Sequence, residues 1–371
     1  MTHQRVLSSF AVMEQWKAAG QKIALWIGRA KLPHVGHIAF LKALWKEGYK
    51  LVIGNGSCYT IDQKNPIQVF QIQAMLALSL RLEGIPSEDF VFVPIPDFHD
   101  DDKWRAYVTG MPHFDLINAV ASDNENVMRA LGPAIDKLDK ITRDIVSDPI
   151  DFSATQLREA VRDNDIVTWQ KYAAEGTKFF LAHTGDFYGV TSAVLGKETD
   201  FEQGRQSVDL FLFVWDGFQW CVVLGNCSQR ATDFAGSLAS PGGGIEDYEC
   251  PIDATLFEAE EETGIPMKIS ERFTLPTQIV VCNRLTHLHF VGKFGSADRE
   301  RGGSRGGSSL VFMTIYDGSV ETLRYHIKSD SDLDNVRIIP VAEARQQRLA
   351  FQQSLMLEKA FRELEKVRGK I

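Results

Sequence analysis

Residues 242–265 read GGGIEDYECPIDATLFEAEEETGI, and the order of residue types in this stretch decides how the second half of the chain must be built. A glycine turn (Pro241, Gly242, Gly243, Gly244) leads into a short segment ending at Glu249, and a helical pattern follows from Pro251. Proline suits a first helical turn because its missing N–H has no partner there in any case. Gly264 suits the left-handed position that closes a helix. Between them Ile252, Leu256, Ala259 and Thr263 recur at helical spacing and give the helix a face to bury. Glu258, Glu261 and Glu262 stand at i, i+3 and i+4 on another face, about one turn apart. Like charges repel unless a cation lies among them, and hard divalent cations bridge carboxylates to substrate phosphates. A solvated acidic face is the plainer meaning of such a run. The glycine turn upstream favours a metal and phosphate site.

This spacing resembles the Nudix box, G-x5-E-x7-R-E-U-x-E-E-x-G-U, where U is bulky and aliphatic. Gly243, Glu249, Glu258, Glu261, Glu262, Gly264 and Ile265 take its places, Ala259 is a small version of the aliphatic position, and Phe257 stands where the family has arginine. The resemblance implies an α/β/α domain with a mixed sheet. It implies Mg²⁺, or Mn²⁺ as a substitute, held by Gly242, Glu258, Glu261 and Glu262, with Glu261 in a catalytic role. It also implies hydrolysis of a nucleoside diphosphate derivative such as ADP-ribose. Phenylalanine cannot orient Glu249 or its neighbours as arginine does, so the expectation is a formed metal site with reduced or altered hydrolysis.

The runs around the box fit that fold. Residues 208–214 and 220–225 read as strands joined by an Asp216-Gly217 turn, and further strands are expected at 278–282, 287–291 and 309–315. RGGSRGGSS at 301–309 reads as a flexible loop, with Asp298 and Glu300 before it as candidates for a further acid. Residues 341–368 read as one charged, amphipathic surface helix, with a homo-oligomeric contact left open.

The first half has a different rhythm. Ile23 to Ile27 is a short apolar run closed by Gly28, the pattern of a strand buried in a parallel sheet. GRAKLPHVGH and a helical stretch follow, and residues 51–54 read as a second strand. Further strands are expected at 90–94 and 116–120, with a helix over Val69–Leu82 between them. Such alternation predicts a doubly wound parallel sheet whose ligand lies at the carboxyl ends of the strands. His34, Gly36 and His37 would then sit at a helix N-terminus, where free N–H groups favour anions. Imidazoles there can donate to phosphate oxygens. Phe152-Ser153-Ala154-Thr155-Gln156-Leu157-Arg158 supplies a capped helix start and a guanidinium suited to phosphate.

These two segments resemble the nucleotidyltransferase signatures G-R-x-x-P-x-H-x-G-H and I-S-A-T-x-I-R, in the family's order. The resemblance implies that His34, His37 and Arg158 act in catalysis and that Gly28, Arg29, Gly36, Ser153, Thr155 and Arg158 bind ATP. Pro94-Ile95-Pro96-Asp97 followed by Trp104 looks like the archaeal-type nicotinamide mononucleotide adenylyltransferases, as does the pair Asn65-Pro66. That likeness implies Asp97, Trp104 and Asn65 as residues for nicotinamide mononucleotide, with Trp104 stacking on its cationic ring. There are departures. Ile72 stands where the family has arginine, Pro33 is displaced by one place, and Ala121-Ser122-Asp123-Asn124-Glu125 replaces G-H-x-K-D.

The whole chain sets limits on these readings. Its 371 residues suggest two domains, taken as 1–195 and 205–371 with a junction at 196–204. Lys and Arg number 40 against 49 for Asp and Glu, a balance of −9 that does not suit non-specific nucleic-acid binding. The five cysteines form no C-x-x-C pair, which reads as reduced thiols. No apolar run approaches the ~20 residues of a membrane span, so no membrane partner and a cytoplasmic location are expected. The combined expectation is NAD synthesis from ATP and nicotinamide mononucleotide, joined to Mg²⁺-dependent Nudix hydrolysis. The rivals are adenylyl transfer to another phosphorylated acceptor with a weakened Nudix domain, and a non-catalytic sensor of NAD metabolites.

Overall fold

The computed structural model describes residues 8–58, 66–98, 100–182, 206–228, 234–270, 278–295, 308–328 and 333–368. They divide into two compact units: residues 8–182 with Asp247–Cys250 form one, and the remaining described residues form the other.

In the first unit the helices are α1 (Ser8–Ala18), α2 (Val35–Lys46), α3 (Val69–Leu82), α4 (Asp101–Thr109), α5 (Glu125–Leu131), α6 (Ala154–Arg162), α7 (Ile166–Tyr172) and α8 (Glu175–Ala182). The strands are β1 (Lys22–Gly28), β2 (Tyr49–Gly56), β3 (Phe90–Ile95), β4 (Ala119–Ala121) and β5 (Asp139–Ile141). They form one sheet in the order β3-β2-β1-β4-β5, with every neighbouring pair parallel. Unbroken apolar runs give this result because both faces of the sheet are covered. Ile23, Leu25 and Ile27 pack with Val52, Val91, Val93 and Ile95 against Phe10, Met13 and Trp16 of α1. Trp26 points to the other face, its ring edge on His37 of α2 at 5.9 Å. The strand order reverses between β1 and β4, and the carboxyl ends at such a switch point are where open α/β sheets hold ligands.

The helix expected over Val69–Leu82 has those bounds. The strand expected at 116–120 is displaced to Ala119–Ala121, because Phe114–Leu116 closes a 3₁₀ turn after His113 at a φ of 63°.

The second unit holds β6 (Ser207–Trp215), β7 (Trp220–Cys227), β8 (Leu238–Ala239), β9 (Gly242–Gly244), β10 (Met267–Ile269), β11 (Gln278–Val281), β12 (Arg284–Gly295), β13 (Ser308–Tyr316) and β14 (Leu333–Pro340). Its helices are α9 (Pro251–Thr263), α10 (Val320–His326), α11 (Val341–Ala344) and α12 (Gln353–Arg368). The sheet runs β10-β11-β12-β13-β6-β7-β14, with β8 on β7 and β9 on β6. Only β13 and β6 pair in parallel, so the sheet is mixed as expected. Phe211, Phe213, Val311 and Met313 pack under Met356, Leu357, Ala360 and Leu364 of α12. The intervening Leu210, Leu212, Leu310 and Phe312 are buried on the opposite face by strand alternation. Helix α9 packs on β6 and β9 and adds nothing to the α12 cluster.

Residues 341–368 are therefore not one surface helix. The chain leaves the helix after Ala344, bridges Leu349 to Leu238, takes a φ of 50° at Phe351 and re-enters a helix at Gln353. The break lets α12 lie on the sheet. Each fully buried leucine there contributes roughly 1.5–3 kcal/mol, so this helix is part of the core. Among the described residues no helix is long and apolar enough to cross a membrane.

Candidate active site

The loop between β1 and α2 is built against its own conformational preference. Ala30 and Leu32 hold φ values of 25° and 129°, which side chains with a Cβ rarely adopt. Such strain persists only where surrounding contacts enforce it. Buried Lys31 supplies them: its Nζ donates to the Ser57 carbonyl at 2.8 Å, and its own carbonyl accepts from Arg158 Nη1 at 2.9 Å.

That loop delivers His34 to the N-cap of α2. His34 Nδ1 accepts from the Gly36 N–H at 3.1 Å, and His37 Nδ1 accepts from the His34 N–H at 3.3 Å. The rings lie 3.8 Å apart, tilted by 34°. Burial lowers the His34 pKa to about 2, helped by the charges of His37 and Arg143 and opposed by Asp123. Burial, then Arg143, lowers His37 to about 3. Both rings are thus neutral near pH 7. With each Nδ1 accepting, each ring proton belongs on Nε2, which leaves Nε2–H as a donor for an anionic oxygen.

Arg143 is a member that the sequence reading missed. A Cβ on Gly36 would come within 3.0 Å of its Nη2, which places the guanidinium at the start of α2. It donates to the Ile150 carbonyl. No local motif marks it, since it follows β5, far along the chain, and only the parallel topology returns it to His34. Arg158 is placed differently from expectation. It is buried and bonds to the Lys31 carbonyl and to Thr155 Oγ1 at 3.1 Å, so it fixes the strained loop. Ser153 caps α6 in a reciprocal box with Gln156, as its sequence suggested.

The remaining expected residues are distributed around this centre. Gly28 ends β1, and a Cβ there would strike the Trp26 indole at 2.3 Å. Arg29 is exposed. Asp97 Oδ1 accepts from Ser57 Oγ at 3.0 Å, just beyond β3. Trp104 is half-buried and packs on the apolar cluster beneath α1, so its indole serves at least as core. Ile72 is fully buried in α3. Ser122 Oγ ties β4 to the Ile27 carbonyl at 2.8 Å. Asn65, Asp298, Glu300 and residues 301–307 of the glycine-serine stretch lie outside the described residues.

The second unit assembles its own cluster. Helix α9 begins at Pro251 and ends at Thr263, and Gly264 follows at a φ of 70°. Ile252, Leu256, Ala259 and Thr263 are all buried, as their spacing requires. Strand β9 pairs antiparallel with β6, and this brings the glycines under the helix. The Gly242 N–H donates to Glu262 Oε2 at 2.8 Å. A Cβ on Gly243 would meet the Glu258 carboxylate at 2.5 Å, so only glycine admits that carboxylate. Glu261 and Phe257 are exposed on the same helix, and Glu249 is buried. Behind β9 stands Asp209, a buried acid that accepts from Ser240 Oγ at 3.0 Å, from Gln353 Nε2 at 2.8 Å and from Ser309 Oγ. An acid inside an otherwise apolar strand was the signal for it. The donors are all oxygens, which suits a hard divalent cation. Among the described residues no group of three His, Cys, Asp or Glu side chains is gathered as a metal site.

No family model matches the chain. A nicotinamide-nucleotide adenylyltransferase of Thermococcus sibiricus is 28% identical over 149 residues, 40% of this chain and 76% of that protein. The one from Thermococcus kodakarensis is 25% identical over 162 residues, 43% of this chain and 82% of its own. Over about two fifths of its length the chain is thus similar to archaeal nicotinamide-nucleotide adenylyltransferases. Among solved structures, a bifunctional NMN adenylyltransferase/ADP ribose pyrophosphatase from Francisella tularensis aligns over 92% of this chain and 99% of its own, at 19% identity and a TM-score of 0.36. That overlap is too loose to bear on what this chain does.

Proposed function

We propose that the first unit transfers the adenylyl group of ATP to nicotinamide mononucleotide, giving NAD⁺ and pyrophosphate, and that the second hydrolyses a nucleoside diphosphate derivative, ADP-ribose first among candidates. The observation that carries the first half is the pair of neutral histidines with both Nδ1 atoms occupied. With Nδ1 occupied, Nε2–H is the donor left on each ring, and the Arg143 guanidinium and the helix dipole at the start of α2 favour phosphate oxygens. Attack of the mononucleotide phosphate on the α-phosphorus needs no protein nucleophile, so positioning and charge stabilisation suffice. Sequence kinship with the archaeal enzymes supports the same reading.

The second half rests on the meeting of Glu258 and Glu262 with the glycines of β9. Glu258, Glu261, Glu262 and the Gly242 carbonyl would hold Mg²⁺, which when bound polarises a pyrophosphate and activates water. Gly243 keeps the space that the Glu258 carboxylate occupies, and Asp209 with its three donors anchors β6 behind it.

Product analysis tests both halves: ATP with nicotinamide mononucleotide, and separately ADP-ribose, each with Mg²⁺. NAD⁺ and pyrophosphate are expected from the first and AMP from the second. Tight binding of these nucleotides without product would replace both activities with a sensing role, and turnover of another phosphorylated acceptor would replace the first.

A further inference from the structure

Within the first unit, Asn55 is fully buried, yet among the described residues neither its amide nitrogen nor its amide oxygen has a hydrogen-bond partner. A buried amide left open at both ends costs stability, so native structures rarely retain one without a use. Its location is informative. Asn55 is the penultimate residue of β2 and lies in register with Gly28 at the end of β1. A Cβ on the preceding Gly54 would meet Ile95 and Ile27, which puts Gly54 on the α1 face. Alternation then puts Asn55 on the opposite face, with Trp26 and His37. The Trp26 indole lies over Gly28, directly beside Asn55, and its Nε1 is also buried without a partner among the described residues.

The histidine pair therefore has two unlike flanks. On the β4–β5 side stand Arg143 and Asp123, whose charges act on His34. On the β2–β3 side stand an open amide, an open indole N–H and, beyond Ser57, Asp97. The charged flank suits phosphates. The other suits a head group that is uncharged at its hydrogen-bonding edge and cationic in its ring.

We infer that Asn55 reads the carboxamide of the mononucleotide, and so selects nicotinamide over nicotinate; this rests on the adenylyl transfer proposed above. The carboxamide oxygen accepts from Asn55 Nδ2, and the carboxamide NH₂ donates to Asn55 Oδ1. Nicotinate carries a carboxylate, which has no proton for Oδ1 and sets acceptor against acceptor. Adenine also offers a donor and an acceptor along one edge, but its ring is neutral and gains nothing from Asp97.

The test is the ratio of kcat/KM for nicotinamide mononucleotide to that for nicotinate mononucleotide, together with KM for ATP, in the full chain and in Asn55→Ala and Asn55→Asp. The native chain should prefer the amide by roughly 10–100-fold, the usual effect of leaving a buried polar atom unpaired. Asn55→Ala should bring the ratio close to one without changing KM for ATP. Should Asn55→Ala melt early, the isosteric Asn55→Asp carries the test: it loses the donor, lowers use of the amide and suppresses nicotinate further. An unchanged ratio in both folded variants, with the native chain still making NAD⁺, overturns the role of Asn55 alone. A raised KM for ATP at constant ratio overturns it in favour of adenine. Failure of the native chain to use either mononucleotide overturns the activity beneath it.

Discussion

The two candidate sites are put together in opposite ways. The cluster on α9 draws its acids and glycines from one 24-residue stretch, and β9 folds back under the helix that follows it. The histidine centre draws on Trp26, His34, Asn55, Asp97, Asp123, Arg143 and Arg158, which only the order of a parallel sheet gathers. A contiguous site is robust to how the rest of the domain is arranged and is rigid in its spacing. A dispersed one can lose a residue in one element and recover its charge from another. Ile72 is buried and apolar where the sequence resemblance led to an expected arginine, and Arg143 brings a guanidinium to the histidines from beyond β5.

Removing one group from each site should separate them most sharply. His37→Ala should reduce NAD⁺ formation by about 10²–10³-fold, the usual loss for one stabilising donor, and leave AMP release from ADP-ribose intact. Glu261→Gln should do the reverse; parallel loss of both activities in either variant would mean the two sites do not work independently. A smaller effect is expected from Arg143→Gln. Losing a charge-assisted hydrogen bond to phosphate costs about 1.5–3 kcal/mol, roughly 10–100-fold, read as a higher KM for ATP. An unaltered KM would leave the lost family arginine without a replacement.

Acid should weaken the histidine unit. His34 and His37 lie near 2 and 3 when folded, far below the ordinary imidazole value of about 6.5. The unfolded chain therefore takes up these protons first as pH falls. The stability of the neutral pair is complete above about pH 6.5 and drains below it, by about 1.4 kcal/mol per pH unit for each ring. Melting between pH 7.5 and 4.5 should show a shallower fall in His37→Gln than in the native chain, and identical slopes would place the ring in water. The smallest effect concerns the contiguous site. Phe257 is 38% exposed, so Phe257→Arg should be tolerated by the fold and raise hydrolysis a few-fold. No gain would mean that Glu249 and its neighbours are already held by other groups.

Legibility followed the same division. Glu258, Glu262, Gly242 and Gly243 could be read in the sequence because their partners lie within a few turns of chain. The parallel sheet could be read from apolar runs, and the cap on α6 from Ser153. Arg143 could not be read, because nothing near it differs from a surface arginine until β5 is placed beside β4. Arg158 was legible as a member of the centre, but its bond to a backbone carbonyl 127 residues away was not. The break in 341–368 was hidden by continuous helical amphipathicity. It is imposed by the bridge of Leu349 to Leu238, a tertiary contact that overrides local preference.

Helix α12 also sets a schedule. The first unit has nearly all its described residues by Ala182, but the sheet of the second stays bare on one face until Leu364 has been made. At about 5–20 residues per second of synthesis, the 51 residues from Met313 to Leu364 (364 − 313) take roughly 3–10 s. During that interval Phe211, Phe213, Val311 and Met313 have no helix to cover them. The growing chain thus exposes an apolar sheet face until that helix has been made.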